Sequence, residues 1–228
     1  MHVQMPRLTC SENVILLLQG MAMFKNRLDA AHQLTQSLWR YKGQHPLVLA
    51  IPRGAVPMGQ SIAQGLQGEW DVVLVRKLRD PYLPELAVGA IDESGATYVA
   101  SDGTVDDIPA RYWEAEKKHQ LEILRERRAQ YTSVHPAISP VGRIVIVVDD
   151  GLATGATMLC ALQAVRRKSP AKLICAVPVG SAHATQKVRS LCDEVVCLSV
   201  PPQFEAVSEF YLDFPQVSDE EVLRLLRA

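Results

Sequence analysis

The sequence predicts an α/β fold: a doubly wound, mostly parallel central sheet flanked by helices, with a flap and a small C-terminal hood. Three observations lead there. Continuous apolar runs at 47–51, 72–75 and 144–148 lack the polar alternation of a half-exposed strand, and further strands fit 173–179 and 194–198. Between them lie stretches with apolar residues at helical spacing. The recurring order of strand, turn, helix and strand makes a mostly parallel sheet, because each helix carries the chain back to the end where the last strand began.

The elements follow in order. Leu28, Ala31, Leu34 and Leu38 mark a first helix that runs to Trp39 and is closed by Lys42 and Gly43. The strand at 47–51 is broken by the turn 52–55, and 58–66 is the next helix. The strand at 72–75 ends in Arg76 and Lys77. Residues 78–108 are rich in Pro, Gly and Asp with short β-like pieces, and read as a flap or antiparallel excursion. Pro109 opens a long charged helix to Gln130. Helices at 158–168 and 182–191 separate the last three strands, and the tail from 201 ends in an amphipathic helix from about Asp219.

This organisation gives a core at 23–200 and a hood at 201–228. Residues 1–22 are expected to be a leader: Val14 to Leu18 start like a signal segment, but Gln19 and Gly20 interrupt it. A short accessory helix is the plainer alternative. The stretch falls well short of the ~20 apolar residues of a membrane span.

Composition sets limits. A chain of 228 residues with 48% hydrophobic and 21% charged residues is an ordinary globular protein. Its net charge of -1 exerts no global pull on nucleic acid or an anionic membrane, so neither is an expected partner. Any anion must be held by local geometry. Cys10, Cys160, Cys175, Cys192 and Cys197 form no CxxC pair and no zinc spacing, which fits a reducing cytoplasm.

The chemistry concentrates at VIVVDDGLATGAT, residues 145–157. Asp149 and Asp150 end a buried strand, where two adjacent carboxylates are costly unless they serve a ligand. A vicinal diol suits them, since each hydroxyl donates to an oxygen that only accepts. Gly151, Leu152, Ala153, Thr154, Gly155, Ala156 and Thr157 then lead into a helix, whose N-terminus and converging amides favour an anion. Diol and phosphate receptors side by side describe a ribose 5-phosphate. The plainer reading is a capped strand-to-helix turn. No Lys follows the second Gly and GxGxxG is absent, which argues against a Walker loop or a dinucleotide site.

VVDDGLATGAT at 147–157 resembles the phosphoribosyl-pyrophosphate (PRPP) signature of type I phosphoribosyltransferases, in which the acids hold the ribose hydroxyls and the loop holds the 5-phosphate. AIPRGAVP at 50–57 resembles that family's pyrophosphate loop, which often carries a cis peptide. The resemblance is closer still to an uncharacterised bacterial branch, through RKL at 76–78, PELAVGAI at 84–91, the Arg127–Arg128 helix end, AVPV at 176–179 and the segment 204–222. It covers residues 23–228. Ser208 and Phe210 depart from it, standing where Gly and Trp are expected.

The resemblance implies transfer of the 5-phosphoribosyl group of PRPP to a nitrogenous base or related acceptor, with release of pyrophosphate. Asp149, Asp150 and Lys77 are the expected catalytic group. Arg53, Gly54, Ala55, Arg76 and Lys77 are the expected pyrophosphate clamp, with Arg127 or Arg128 as further candidates. Each of these cations is otherwise a solvated surface charge. Phe210 and Tyr211, with Phe204, are expected either to hood the base or simply to pack the last helix. Glu85 and Glu93 are weaker candidates, for proton transfer at the acceptor or for holding Mg2+ through water. Mg2+ is expected to be held through the pyrophosphate, with no direct protein ligand. A homodimer is usual for the fold. The alternative function is a non-catalytic PRPP- or nucleotide-sensing regulator.

Overall fold

A computed structural model describes residues 23–83, 87–99 and 108–227. Its centre is a parallel sheet in the order β2-β1-β6-β7-β8. The strands are β1 (Leu47–Ala50), β2 (Glu69–Val72), β6 (Ile144–Val148), β7 (Lys172–Val179) and β8 (Glu194–Ser199). A separate antiparallel sheet contains β3 (Val75–Arg79), β4 (Ala87–Asp92) and β5 (Thr97–Val99). Six α-helices accompany them among the described residues: α1 (Arg27–Ser37), α2 (Val56–Leu66), α3 (Ala110–Thr132), α4 (Ala156–Arg166), α5 (Ala182–Val188) and α6 (Asp219–Leu226).

The unbroken apolar runs have a direct physical reason. Side chains alternate across a strand, so a strand covered on both faces must be apolar at every position. Val48, Ala50, Ile146, Val148, Ile174 and Ala176 bury one face in a cluster with residues of α1, α2 and α6. Leu47, Leu49, Val145, Val147, Leu173 and Cys175 bury the other in a cluster with residues of α4 and α5.

The apolar run 72–75 is not the single strand that the sequence predicts. Val73 N–H donates to Ala50 C=O at 3.0 Å, the last rung of the parallel sheet, and the chain then crosses to the antiparallel sheet. Its residues serve two sheets, and β2 lies earlier, in the polar edge sequence from Glu69. Arg76 and Lys77 therefore sit inside β3 rather than at a parallel strand end. The antiparallel excursion itself is present, from β3 to β5.

The tail packs onto the core. Phe210, Tyr211, Val217, Val222 and Leu226 belong to the same buried cluster as α1 and α2, and Phe24 pairs with Tyr211 in an isolated parallel bridge. Cys160, Cys175, Cys192 and Cys197 are free thiols. Among the described residues, no helix is long and apolar enough to cross a membrane. The expected leader, residues 1–22, lies outside the described residues.

The sheet order fixes the site. The chain winds from β1 outward to β2, then returns to the other side of β1 with β6. Open α/β sheets offer a ligand crevice at such a reversal, beyond the carboxyl ends of the strands. Register pairs Ala50 with Val148, so the turn at Pro52 and the acids at 149–150 emerge side by side.

Candidate functional site

The two acids leave β6 in different surroundings. The Asp149 carboxylate accepts the Asp150 N–H at 2.9 Å. Asp150 Oδ2 accepts from Arg27 Nε at 3.0 Å and Nη2 at 2.9 Å. Arg27 is held in turn: Nη1 donates to Pro215 C=O at 2.5 Å, and its guanidinium lies 3.7 Å over the Phe214 ring. The Tyr211 hydroxyl donates to Asp150 C=O at 2.7 Å. Burial, and then the Asp150 charge, push the Asp149 carboxyl well above the usual carboxylate range, with the Asp150 N–H, Lys77 and Arg27 pulling back. Burial also raises Asp150, against the opposing pull of Arg27.

The loop after the acids is anchored from behind. Leu152 is buried, its N–H donating to Val179 C=O at 2.9 Å and its C=O accepting from Ser181 N–H at 2.9 Å. Ser181 Oγ donates to Ala153 C=O at 2.7 Å. Gly155, with φ +81°, turns the chain into α4 in the left-handed region where glycine carries no steric penalty. As the N-cap it offers no side chain, and Thr154 Oγ1 accepts from Ala156 N–H at 3.4 Å. Leu152 and Ala156 are buried, so of these two only the backbone can serve a ligand.

The turn after β1 faces the acids. Its Pro52–Arg53 peptide is cis. A Cβ on Gly54 would stand 2.0 Å from Asp150 Oδ2, so this approach needs glycine. Arg53 has a partner outside the opening. Its Nη1 turns to Asp219 at 3.3 Å, at the start of α6, where Arg127 Nη2 also lies 3.6 Å from the same carboxylate. Ala55 is buried as the N-cap of α2. Of the expected clamp in this turn, only Gly54 lines the opening, beside Pro52.

Two adjoining cavities occupy the crevice. One of about 300 Å³ is lined by Pro52, Gly54, Arg76, Lys77, Arg79 and Arg127 with the acids. The other, about 160 Å³, wraps the loop from Gly151 to Gly155. Lys77, Asp149, Asp150 and Thr157 line both. Burial, then Arg127 and Arg79, lower the Arg76 guanidinium pKa, and its Nε donates to Gln120 Oε1. Such a cluster of cations opposed by so few acids is suited to a polyanion.

Of the two roles open to the tail aromatics, packing is the one that their burial supports. Phe210 and Tyr211 are only 5% and 6% exposed, so neither ring offers a face to a base. Phe210 stacks on Phe204 at 5.3 Å and Tyr211 packs against Phe24 and Phe214. Glu93 accepts from Arg128 Nε at 2.8 Å and lines neither cavity. Glu85 lies outside the described residues. Sequence reading missed Arg27, Arg79 and Asp219. Arg27 gives no local signal, for it sits in the first turn of an ordinary helix far from the loop it serves.

The family described as phosphoribosyl transferase domain matches residues 16–215. Two Mycobacterium tuberculosis proteins provisionally named phosphoribosyl transferases, from strains CDC 1551 / Oshkosh and H37Rv, are each 41% identical over 209 residues. That match takes in 90% of this chain and 47% of each relative, so the chain spans about half their length. The crystal structure of TT1426 from Thermus thermophilus is 40% identical with a TM-score of 0.76, covering 90% of this chain and 98% of that one. By the extent of the family match and by these identities, the chain belongs to the phosphoribosyl transferase domain family.

Proposed function

We propose that the protein transfers the 5-phosphoribosyl group of PRPP to a nitrogenous base or related acceptor, releasing pyrophosphate. One observation carries the reading: Asp149, Asp150, Lys77 and Thr157 stand where a phosphate-sized loop cavity meets a cation-lined one. The ribose hydroxyls donate to the two carboxylates. The 5-phosphate takes the loop amides and the α4 N-terminus. Arg76, Lys77, Arg127 and the Gly54 backbone hold the diphosphate.

In the reaction the bond from the anomeric carbon to the diphosphate oxygen breaks, and the oxygen keeps the electron pair. The acceptor nitrogen supplies the electron pair of the new bond, and its proton passes to solvent. Positive charge develops on the ribose ring meanwhile, as in glycoside chemistry. Positioning and stabilisation of the leaving diphosphate by fixed cations provide the acceleration.

Among the described residues, no group of three or more His, Cys, Asp or Glu side chains is arranged to hold a metal ion. The donor set fits Mg2+ carried on the substrate's own oxygens, which Asp149 and Asp150 would help to hold. When bound, Mg2+ would supply further neutralisation of the diphosphate.

The test is pyrophosphate release from PRPP and Mg2+ across a panel of purine and pyrimidine bases. Release that requires one of these acceptors supports the transferase. PRPP binding without turnover on any acceptor would instead indicate a sensing regulator.

A further inference from the structure

One residue of the C-terminal tail reaches the site. Val207 lines the loop cavity together with Asp149 and Asp150, and it does not line the cation-rich one. It is half-buried and opens the short 3-10 helix Val207–Phe210. Its seat is Gly151, where a Cβ would stand 2.6 Å from Val207 Cγ1 and 2.7 Å from Cγ2. Only glycine lets the isopropyl group come so close to the loop. Gly151 directly follows the acids, so Val207 stands at the ribose end of the loop, away from Gly155 where the loop enters α4. That position suits the acceptor. In a displacement at carbon, the entering and leaving groups occupy opposite faces. With the diphosphate among the cations, the entering nitrogen comes from the other cavity, the one that Val207 borders.

Charge is divided between the cavities in the same way. Arg76, Arg79 and Arg127 line the cation-rich cavity alone. Lys77 lines both, and among the described residues it is the one cation on the loop cavity. The tail around Val207 adds none: residues 201–217 contain Glu205, Glu209 and Asp213, and no Lys, Arg or His. Arg27 approaches from α1, but Asp150, the Pro215 carbonyl and the Phe214 ring already take it up. A carboxylate on the acceptor would therefore lie near Asp149 and Asp150 with only Lys77 to offset them, and Lys77 also serves the diphosphate. Like charges at close range, without a cation between them, disfavour such a ligand.

We infer that the acceptor is a flat ring without a negative charge, and that Val207 is a residue that selects it. The isopropyl group bears on the ring, and no cation beside it offsets a carboxylate. This inference rests on the transferase reading and narrows its acceptor to one chemical class.

The probes are nicotinamide mononucleotide and nicotinic acid mononucleotide, which share ring and ribose 5-phosphate and differ by an amide against a carboxylate. Calorimetric titration into the full chain should find the amide at least about fivefold tighter. Val207→Lys should narrow that difference to less than about twofold, because it supplies the missing cation. Val207→Ala should weaken the amide at least about threefold and leave ribose 5-phosphate and pyrophosphate within about twofold. Circular dichroism confirms that each variant is folded; should Val207→Lys fail to fold, Val207→Ala and the preference of the parent carry the test. Pyrophosphate release from PRPP then separates this inference from the reading beneath it. Uncharged bases should support release at least about tenfold faster than orotate or nicotinate. Release with orotate or nicotinate as fast as with any uncharged base, or equal affinity of the parent for the two mononucleotides, would overturn the acceptor class and leave the transferase standing. Equal weakening of all three ligands in Val207→Ala would overturn the role of Val207. No release with any acceptor would sink the transferase reading, and the acceptor class with it.

Discussion

Arg27 places two guanidinium nitrogens on a single oxygen of Asp150, Nε at 3.0 Å and Nη2 at 2.9 Å, across 123 positions of sequence. The other carboxylate oxygen is not taken up by the arginine. The pair is mostly enclosed, with side-chain exposures of 11% and 18%. Phe214 and Pro215 fix the far side of the guanidinium, so the C-terminal tail braces an acid of the central sheet.

This relationship makes Arg27 a positioning residue for the ribose side of the site. Removing one partner of an enclosed ion pair costs about 3–5 kcal/mol, because the other charge is stranded. Arg27→Ala should therefore lower the melting temperature and weaken ribose 5-phosphate at least tenfold, while pyrophosphate affinity changes less than about twofold. Arg27→Lys should recover part of the ribose 5-phosphate affinity. Calorimetric titration of the two ligands separates the cases; equal losses for both would leave Arg27 a purely structural brace.

Asp149 should carry a stability cost that depends on pH. Its carboxyl is raised, first by burial and then by Asp150, so the folded chain keeps this proton to higher pH than the unfolded chain does. The cost is absent below the ordinary carboxylate value of about 3.9, grows as pH rises through it, and is complete above the folded value. Each pH unit of that separation corresponds to about 1.4 kcal/mol. Asp149→Asn should accordingly melt higher than the parent at neutral pH, with the gap closing on acidification to about pH 4. The double variant Asp149→Asn, Asp150→Asn should stay folded and lose the protection against heating that PRPP gives the parent. Retained protection would count against the site.

How much of this was legible in the sequence follows from the range of the forces involved. The strands at 47–51 and 144–148 were readable because burial on both faces demands apolar residues at every position. The run 72–75 misled for the same reason: apolar residues also fill a crossing between two sheets, and periodicity does not mark where one sheet ends. The loop 149–157 was readable because its chemistry is contiguous. Arg27 was not, because its partner is distant in sequence and its own helix would look the same without it. Phe210 and Tyr211 were ambiguous because an aromatic residue serves a core or a ligand equally well. Only the packing against Phe24 and Phe204 decides.

Gly54 should be intolerant of any side chain. A Cβ there would sit 2.0 Å from Asp150 Oδ2 and 3.3 Å from Arg27 Nη2, so the carboxylate must move and its ion pair with it. Gly54→Ala is expected to weaken ribose 5-phosphate and pyrophosphate together, each at least tenfold, because the substituted turn borders both groups. The melting temperature should fall by a few degrees. Unchanged affinity for both ligands would show that the turn and the acid are not in register.

The arginines around Asp219 provide the sharpest test of which cations hold the diphosphate. Arg53 and Asp219 are 38% and 44% exposed in their side chains, so their pair is worth only about 0–1 kcal/mol. Arg53→Ala should thus change pyrophosphate affinity less than about threefold and barely move the melting temperature. Arg127 lines the cation-rich cavity while Asp219 stands 3.6 Å from its Nη2. A charge-assisted hydrogen bond contributes about 1.5–3 kcal/mol, so Arg127→Ala should weaken pyrophosphate at least tenfold. Asp219→Asn removes the carboxylate that competes with the ligand for Arg127, and should tighten pyrophosphate about two- to fivefold. A larger loss in Arg53→Ala than in Arg127→Ala, measured by the same titration, would mean that Arg53 leaves Asp219 and turns into the cavity when the anion arrives.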